Sequence, residues 1–399
     1  MKNQTILIIG YSDWNHWRPT HEIARIFSEN NLVIFAERLM GYGDLRWREV
    51  KRVDCLKRFQ FKPLHLVSKN LFVVQPPPHP LPSSISIFSR FIGKQIMCFS
   101  NYLGKILQAK WLKICLRRQG IKPTVLFLNH PSDLHLAGRF GERVSCWWIY
   151  DELSLASVGS NYSNMLNKIE HKCIGRIDLV LASSRKQYEN RKEIHPNVFY
   201  IPNGVDFTYF NRAMNSKSYE PDDLLSIPRP RIGYAGNIEH ERMDYNLLQK
   251  IAKTHPEWSL VLIGWISSEA QEKVKSLAQL QNVYILPYKP HTVIPNYLKR
   301  FDVGLISFRV TPFSNAMHPM KMYEYLAVGL PVVSTMLDEL KPYIKVVSIA
   351  RNIDEFVRLI EKALITNSPE MVQARVEVAR ENSWEHRMAD ISALIGRWL

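Results

Sequence analysis

The stretch His318-Pro319-Met320-Lys321-Met322-Tyr323-Glu324-Tyr325-Leu326-Ala327-Val328-Gly329-Leu330-Pro331-Val332-Val333-Ser334-Thr335 leaves the chain little choice of local structure. Pro319 suits the first helical position, where a missing N–H costs nothing, and Gly329 suits the left-handed residue that stops a helix, with Pro331 just beyond it. The spacing predicts a helix of about ten residues running into a buried strand. The first turn of such a helix offers free backbone N–H groups and the positive end of its dipole, and Lys321 lies there, so a diphosphate would be held at that end. Glu324 follows three residues later on the same face. It sits too far down the helix to meet a phosphate, but it can accept hydrogen bonds from the two hydroxyls of a ribose. Met320 could pack against the ribose or a sugar, and His318 could meet a phosphate or a sugar carboxylate. An ordinary solvated helix could also carry a Lys-x-x-Glu pair, so the surrounding chain has to decide.

That chain alternates strands and helices. Residues 6–9 and 32–36 are continuous apolar runs, as parallel strands covered on both faces should be. No G-x-G-x-x-G follows the first strand, which argues against a dinucleotide-binding dehydrogenase. The loop 11–19 is polar and aromatic and lies where ligands of such sheets bind, so Trp14, His16 and Arg18 either line an acceptor site or pack locally. Residues 124–128 form a strand ending in Asn129-His130-Pro131, which brings His130 to the same edge. Residues 144–150 form another, ending in Asp151-Glu152. A carboxylate at the end of a buried strand suits a general base, Asp151 first and Glu152 in reserve, although helix capping would also explain either. A helix at 164–173 and a strand at 179–182 follow. Residues 207–230 are polar and punctuated by proline, as a linker should be. The second domain opens with Arg231-Ile232-Gly233-Tyr234-Ala235-Gly236-Asn237, a strand running into a glycine loop. Further strands at 259–263, 283–286, 303–306 and 332–334 imply a parallel sheet wound right-handedly.

The segment at 318–335 resembles the donor-binding stretch of GT-B glycosyltransferases, written N-P-x-K-x-x-E-Y-x-A-x-G-x-P-V-V. Ile201-Pro202-Asn203-Gly204-Val205-Asp206 is similar to the hexapeptide that closes the N-terminal domain of those enzymes. Glu381-Asn382-Ser383-Trp384-Glu385 resembles the start of their C-terminal crossing helix. The resemblance covers the chain well from about residue 120 onward, and the first hundred residues only in outline. It implies an α/β fold of two Rossmann-like doubly wound parallel-sheet domains facing across a cleft. Residues 1–206 would bind the acceptor, 207–230 would link, 231–380 would bind a nucleotide-sugar donor, and 381–399 would cross back. It also implies a UDP-sugar donor held by Gly236, Asn237, Gly264, Tyr288, His318, Pro319, Met320, Lys321 and Glu324. One departure matters. Retaining members of the large family-four-like group carry a first glutamate at the position of Ala316, whereas Met320-Lys321 with Glu324 is similar to the inverting glucuronosyltransferase of xanthan assembly. Hexosyl or glycuronosyl transfer, inverting or retaining, therefore stay open. A GT-B-shaped epimerase or a catalytically silent relative also remains.

Charge adds a partner. The chain carries 52 Lys+Arg against 37 Asp+Glu, a net +15. Residues 1–150 hold 22 basic against 9 acidic residues (+13), while 151–399 hold 30 against 28 (+2). From Cys55 to Ser132 there are twelve basic residues and no acidic one. Such asymmetry points to a polyanion: nucleic acid, anionic lipid headgroups or a lipid-linked pyrophosphate, unless the face is simply solvated. No nucleic-acid motif is present, so nucleic acid is not expected as a partner, and a basic nucleic-acid-binding protein with a Rossmann-like body stays as the lesser alternative. After the stiff stretch 76–82, residues 85–118 show helical spacing, with Leu103, Ile106, Leu107, Trp111, Ile114 and Cys115 on one stripe and Lys105, Lys110, Lys113, Arg117 and Arg118 elsewhere on the surface. This is either a core helix with a charged back or an interfacial helix resting on anionic lipid. Five cysteines, without a C-x-x-C pair, argue against a disulfide framework or a zinc site and suit a reducing compartment. Asp222-Asp223 lies in the expected linker and no Asp-x-Asp ends a strand, so neither metal nor cofactor is expected, and Lys321 with the helix dipole would stabilise the leaving diphosphate. The sequence thus suggests a metal-independent glycosyltransferase of surface polysaccharide or exopolysaccharide assembly. It would be cytoplasmic and peripheral on the inner face of the membrane, acting on a lipid-linked or saccharide acceptor.

Overall fold

The computed structural model describes residues 1–15, 17–38, 64–77, 94–155, 160–215 and 220–399. His16, residues 78–82 of the proline-rich stretch and residues 85–93 of the expected long helix lie outside these. The chain divides into two compact units, Met1–Ile201 with Met388–Leu399, and Pro202–Arg387.

The first unit contains strands β1 (Thr5–Ile9), β2 (Leu32–Ala36), β3 (His65–Ser68), β4 (Leu71–Val74), β5 (Val125–Leu128), β6 (Val144–Ile149), β7 (Leu179–Ala182) and β8 (Val198–Tyr200). They pair in the order β3-β4-β2-β1-β5-β6-β7-β8. All pairings are parallel except the hairpin β3/β4, so an antiparallel edge closes an otherwise parallel sheet. β6, Val-Ser-Cys-Trp-Trp-Ile, lies between β5 and β7 and is buried along its whole length, as an inner parallel strand should be, and each such apolar side chain contributes about 1.5–3 kcal/mol. The helices are α1 (Pro19–Ser28), α2 (Lys94–Arg118), α3 (Ser160–Cys173) and α4 (Arg185–Lys192).

Helix α2 corrects the sequence-based stripe. Of that stripe Cys115 is buried, but Leu107 and Ile114 are 43% and 52% exposed, and the buried face runs through Lys105, Gln108, Ala109, Leu112 and Leu116. The cause is Lys105, which was expected on the surface but is buried as the ion-pair partner of Asp133. A buried, paired lysine hid the core face of the helix from its hydrophobicity pattern.

The second unit starts earlier than expected. Residues 207–230 are not a bare linker: α5 (Phe207–Asn215) and the short α6 (Asp222–Leu225) bury Phe210, Ala213, Leu224 and Ile227 in the second core. Then come β9 (Arg231–Ala235), α7 (Tyr245–Thr254), β10 (Ser259–Ile263), α8 (Gln271–Leu277), β11 (Val283–Leu286), α9 (Ile294–Leu298), β12 (Val303–Ile306), α10 (Pro312–Asn315), α11 (Met320–Ala327), β13 (Val332–Thr335), β14 (Val347–Ala350), α12 (Ile353–Ile365), α13 (Pro369–Glu381) and α14 (Trp384–Gly396), of which the residues from Met388 on belong to the first unit. The sheet is wholly parallel, in the order β11-β10-β9-β12-β13-β14. The order reverses between β9 and β12, and a ligand of such a sheet binds at the carboxyl ends of the strands flanking that reversal.

Candidate functional site

At this switch point Gly236 follows β9 with φ +144° and Gly264 follows β10 with φ +153°, conformations that L side chains rarely adopt. A Cβ on Gly264 would lie 1.9 Å from the Gly236 carbonyl oxygen, and one on Gly236 would lie 2.1 Å from the Lys321 ammonium. The two glycines therefore let the strand ends close up and leave room for a cation.

Lys321 comes from α11, whose ends are set by local chemistry. Pro319 serves as the N-cap, with φ −71° and ψ 106°, so the helix begins at Met320, one residue later than the sequence suggested, and runs eight residues. At the other end Val328 is the C-cap. The Gly329 N–H, at φ +71°, donates to the Leu326 carbonyl (2.9 Å) and the Leu330 N–H to the Tyr325 carbonyl (3.0 Å). These are the two bonds of a Schellman motif. The Lys321 ammonium lies 4.9 Å from the centre of the Tyr234 ring and 6.0 Å from that of Phe308. Tyr234 donates its hydroxyl to the Asn237 carbonyl (2.7 Å), and the Ala235 N–H donates to the Tyr325 hydroxyl (3.1 Å). Burial raises the pKa of both phenols, so this aromatic floor stays neutral beneath the Lys321 ammonium.

Glu324, one turn on, faces His291, with Oε1 3.6 Å from Nε2. Tyr288, three residues before His291, is 54% exposed beyond β11. Met320 is partly exposed at the start of α11. His318 has turned inward: its ring stacks on Tyr323 with centroids 5.3 Å apart, and its carbonyl accepts from Asn203 Nδ2 (2.9 Å). Burial, and secondarily the charge of Arg387, lowers its pKa to about 3. The sequence set His318 against a phosphate or a sugar carboxylate; here its ring is buried and neutral, so any such contact would be made without a positive charge. Tyr323 extends this polar cluster to Tyr343 and Asn382.

The first unit treats its strand ends differently. Tyr11, after β1, stacks on His130, after β5, at 5.1 Å and within 5° of parallel, and Arg38 lies 5.5 Å from the Tyr11 ring. Trp14 donates its backbone N–H to Glu37 Oε1 (2.9 Å) and packs its indole against His21 (4.7 Å) and Phe35 (5.0 Å). Its side chain thus helps fill the edge. Arg18 caps α1, its N–H donating to His21 Nδ1 (2.9 Å). His130 accepts from the Ser132 N–H, and burial, then the charges of Lys105 and Arg38, holds it well below the usual histidine range. Asp151 is partly exposed at the end of β6. Glu152 is not: Arg191 grips it through two nitrogens and also binds Glu170 (2.9 and 3.0 Å). That engagement makes Glu152 a structural carboxylate and corrects its place as reserve base. Of the two carboxylates, Asp151 is the one with an exposed surface. Asp223, in α6, pairs with Lys289 (2.6 Å) and accepts from the Tyr297 hydroxyl (2.9 Å).

Sequence reasoning missed His291, whose approach to Glu324 spans 33 positions, and Asn203, whose role is visible only once 203 and 318 meet. No local signal marks His291, and the hexapeptide around Asn203 gives no hint of that contact.

Comparison with known proteins accords with this geometry. Residues 229–365 match the family described as Glycosyl transferases group 1, a span that holds the whole glycine loop and α11. Over 261 residues the chain is 27% identical to a protein of Bacillus subtilis (strain 168) named as the teichuronic acid biosynthesis glycosyltransferase TuaH. The match spans 59% of this chain and 63% of that relative's length. Among solved structures, the sucrose-phosphate synthase of Thermosynechococcus elongatus superposes with a TM-score of 0.70 at 12% identity, covering 99% of both chains. Anabaena HepE in complex with UDP and glucose gives 0.66 at 12% identity over the full length of both. The trehalose-6-phosphate protein of E. coli bound with UDP-2-fluoro glucose gives 0.67 at 10% identity, covering 98% of each. At these identities the likeness establishes the fold, and it is the GT-B architecture of two α/β units that the sequence suggested.

Proposed function

We propose that this protein is a glycosyltransferase that moves a sugar from a UDP-sugar to a lipid-linked or saccharide acceptor in surface polysaccharide assembly. The observation that carries the reading is the Lys321 ammonium set against Gly236 at the switch point of the second sheet, with Glu324 one turn below. In this reading the diphosphate lies along the glycine loop and the first turn of α11, and Lys321 neutralises the charge that develops as the nucleoside diphosphate leaves. Glu324 accepts the ribose hydroxyls. UDP in the complexes of HepE and the E. coli protein supports uracil as the base, and the name of the Bacillus relative supports an anionic surface polymer as the pathway's product.

The position of Ala316, buried without a carboxylate, favours inversion. Inversion needs a base to take the acceptor's proton, and Asp151 is the assignment. The acid-poor first unit would hold the acceptor's pyrophosphate beside an anionic membrane. Among the described residues no helix is long and apolar enough to cross a bilayer.

Incubation with radiolabelled sugar nucleotides, with and without a lipid extract, tests the reading. Transfer to a lipid-extractable or saccharide product supports it. Turnover of the donor sugar without transfer would select an epimerase instead, and indifference to every donor would leave only a silent relative. NMR of the product's anomeric configuration then decides the mechanism: inversion, lost in Asp151→Asn, supports the base assignment, and retention removes it.

A further inference from the structure

The stretch that reads as a linker in sequence builds one wall of the donor helix. From α5, Tyr209 stacks on His291 with ring centroids 6.4 Å apart and planes 18° from parallel, and Phe210 meets the same imidazole edge-on at 5.2 Å. The Tyr209 hydroxyl also donates to the carbonyl of Thr292, the next residue. Two rings and a backbone hydrogen bond therefore fix the imidazole, and its Nε2 points at Glu324 Oε1 from 3.6 Å. Both side chains are largely shielded, with 17% and 13% of their surface exposed. That distance exceeds a hydrogen bond but falls within ion-pair range, so a shift of a few tenths of an ångström brings the N–H onto the carboxylate.

We infer that His291 is a positioning residue for the donor: held by Tyr209 and Phe210, it orients the Glu324 carboxylate so that Oε1 faces the imidazole and Oε2 is presented to the ribose hydroxyls of a nucleoside diphosphate. The inference rests on the proposed role of Glu324 and adds to it the group that aims the carboxylate. A long, flexible glutamate would otherwise lose rotamer freedom on every binding event, and a carboxylate confined beside a fixed imidazole has less to lose. His291 itself touches no substrate in this arrangement.

Calorimetry with UDP and with 2′,3′-dideoxyuridine diphosphate, on the wild type, His291→Ala, His291→Gln, Glu324→Ala and the double variant, tests it. His291→Ala should weaken UDP binding by about three- to tenfold, the range expected for coupled neighbours. It should leave binding of the dideoxy analogue unchanged and add little in the Glu324→Ala background. His291→Gln, whose amide can still donate, should recover most of the loss, which a mere packing defect would not allow. In turnover, His291→Ala should raise KM for the donor with kcat little changed. An equal loss on both nucleotides, or full additivity with Glu324→Ala, overturns the positioning role while leaving the ribose contact standing. Undiminished UDP binding by Glu324→Ala would instead overturn the ribose contact itself.

Discussion

The strand ends of the two units solve opposite problems. In the second unit, Gly236 and Gly264 remove side chains from the edge of the sheet, and the charged groups beside it, Lys321 and Glu324, are partly exposed. In the first unit the corresponding edge is filled by Tyr11 on His130 and by Trp14 between His21 and Phe35, and its strongest charges are consumed internally, Lys105 by Asp133 and Arg191 by Glu152 and Glu170. The difference teaches where each unit keeps its charge. The second sets charge beside an edge cleared by glycine, where the proposed donor would lie, and the first spends much of it on buried ion pairs of its own.

That contrast breaks most visibly at Arg191. Replacing it with alanine strands two buried carboxylates, an effect of about 3–5 kcal/mol, and should lower the urea midpoint of the first unit strongly. The loss should shrink in acid. Burial raises the pKa of Glu170 in the folded state. A carboxyl whose folded pKa lies above its unfolded value binds more protons when folded, so stability is regained as pH falls. Without the arginine this gain should grow, and unfolding at pH 5 and pH 8 would show it. An Arg191→Ala protein as stable as the wild type would mean that the triad is not structural.

In the second unit the largest effect should be on chemistry rather than stability. If Lys321 neutralises the leaving diphosphate as proposed, Lys321→Ala should cost about 3 kcal/mol of transition-state stabilisation with little change in melting temperature. Single-turnover kinetics on a UDP-sugar, beside a thermal melt, separates the two. If Lys321→Ala unfolds the unit instead, its ammonium belongs to the fold, and the contrast between the two edges collapses.

How far this could be read from sequence follows the same division. β10, β11 and β12 fall at the expected residues, the C-terminal stop of α11 at Gly329 was legible from glycine and proline alone, and Lys321 and Glu324 stood out because a helix places them within four residues. The first unit resisted because its decisive contacts are long-range. Lys105 meets Asp133 across 28 positions and Arg191 meets Glu152 across 39, so a lysine in a hydrophobic pattern read as surface and a carboxylate at a strand end read as an open base. His318 was only half legible for a related reason: its motif position suggested a ligand contact, and the Tyr323, Tyr343 and Asn382 cluster beside it assembles only in three dimensions.

His318 therefore gives a smaller, acid-side prediction. Its folded pKa of about 3 lies below the ordinary 6.5, so the fold prefers the neutral ring. The stability this represents is complete above pH 6.5 and is lost as pH falls toward 3, at up to about 1.4 kcal/mol per pH unit. His318→Gln should reduce the slope of unfolding free energy against pH by about one proton between pH 6.5 and 4. An unchanged slope would mean the ring is not held neutral by its surroundings.

The smallest effect concerns the face of α2 turned away from the core. Phe99, Tyr102, Leu107 and Ile114 are exposed there beside Lys110, Lys113 and Arg117, while the helix's opposite face meets the first core. Apolar and cationic groups interleaved without an acid suit the headgroup region of an anionic bilayer, where each cation contributes about 1 kcal/mol and the attraction fades within a Debye length of roughly 8 Å. Lys105 plays no part, because its charge is buried on Asp133. Reversing Lys110 and Lys113 to glutamate should thus release the protein from anionic vesicles without disturbing its fold, whereas Lys105→Glu should act by destabilising the unit. In sedimentation with liposomes, binding should require anionic lipid and fall with added salt. Equal recovery from neutral and anionic vesicles would show that the exposed cations of the first unit serve a soluble anion rather than a membrane.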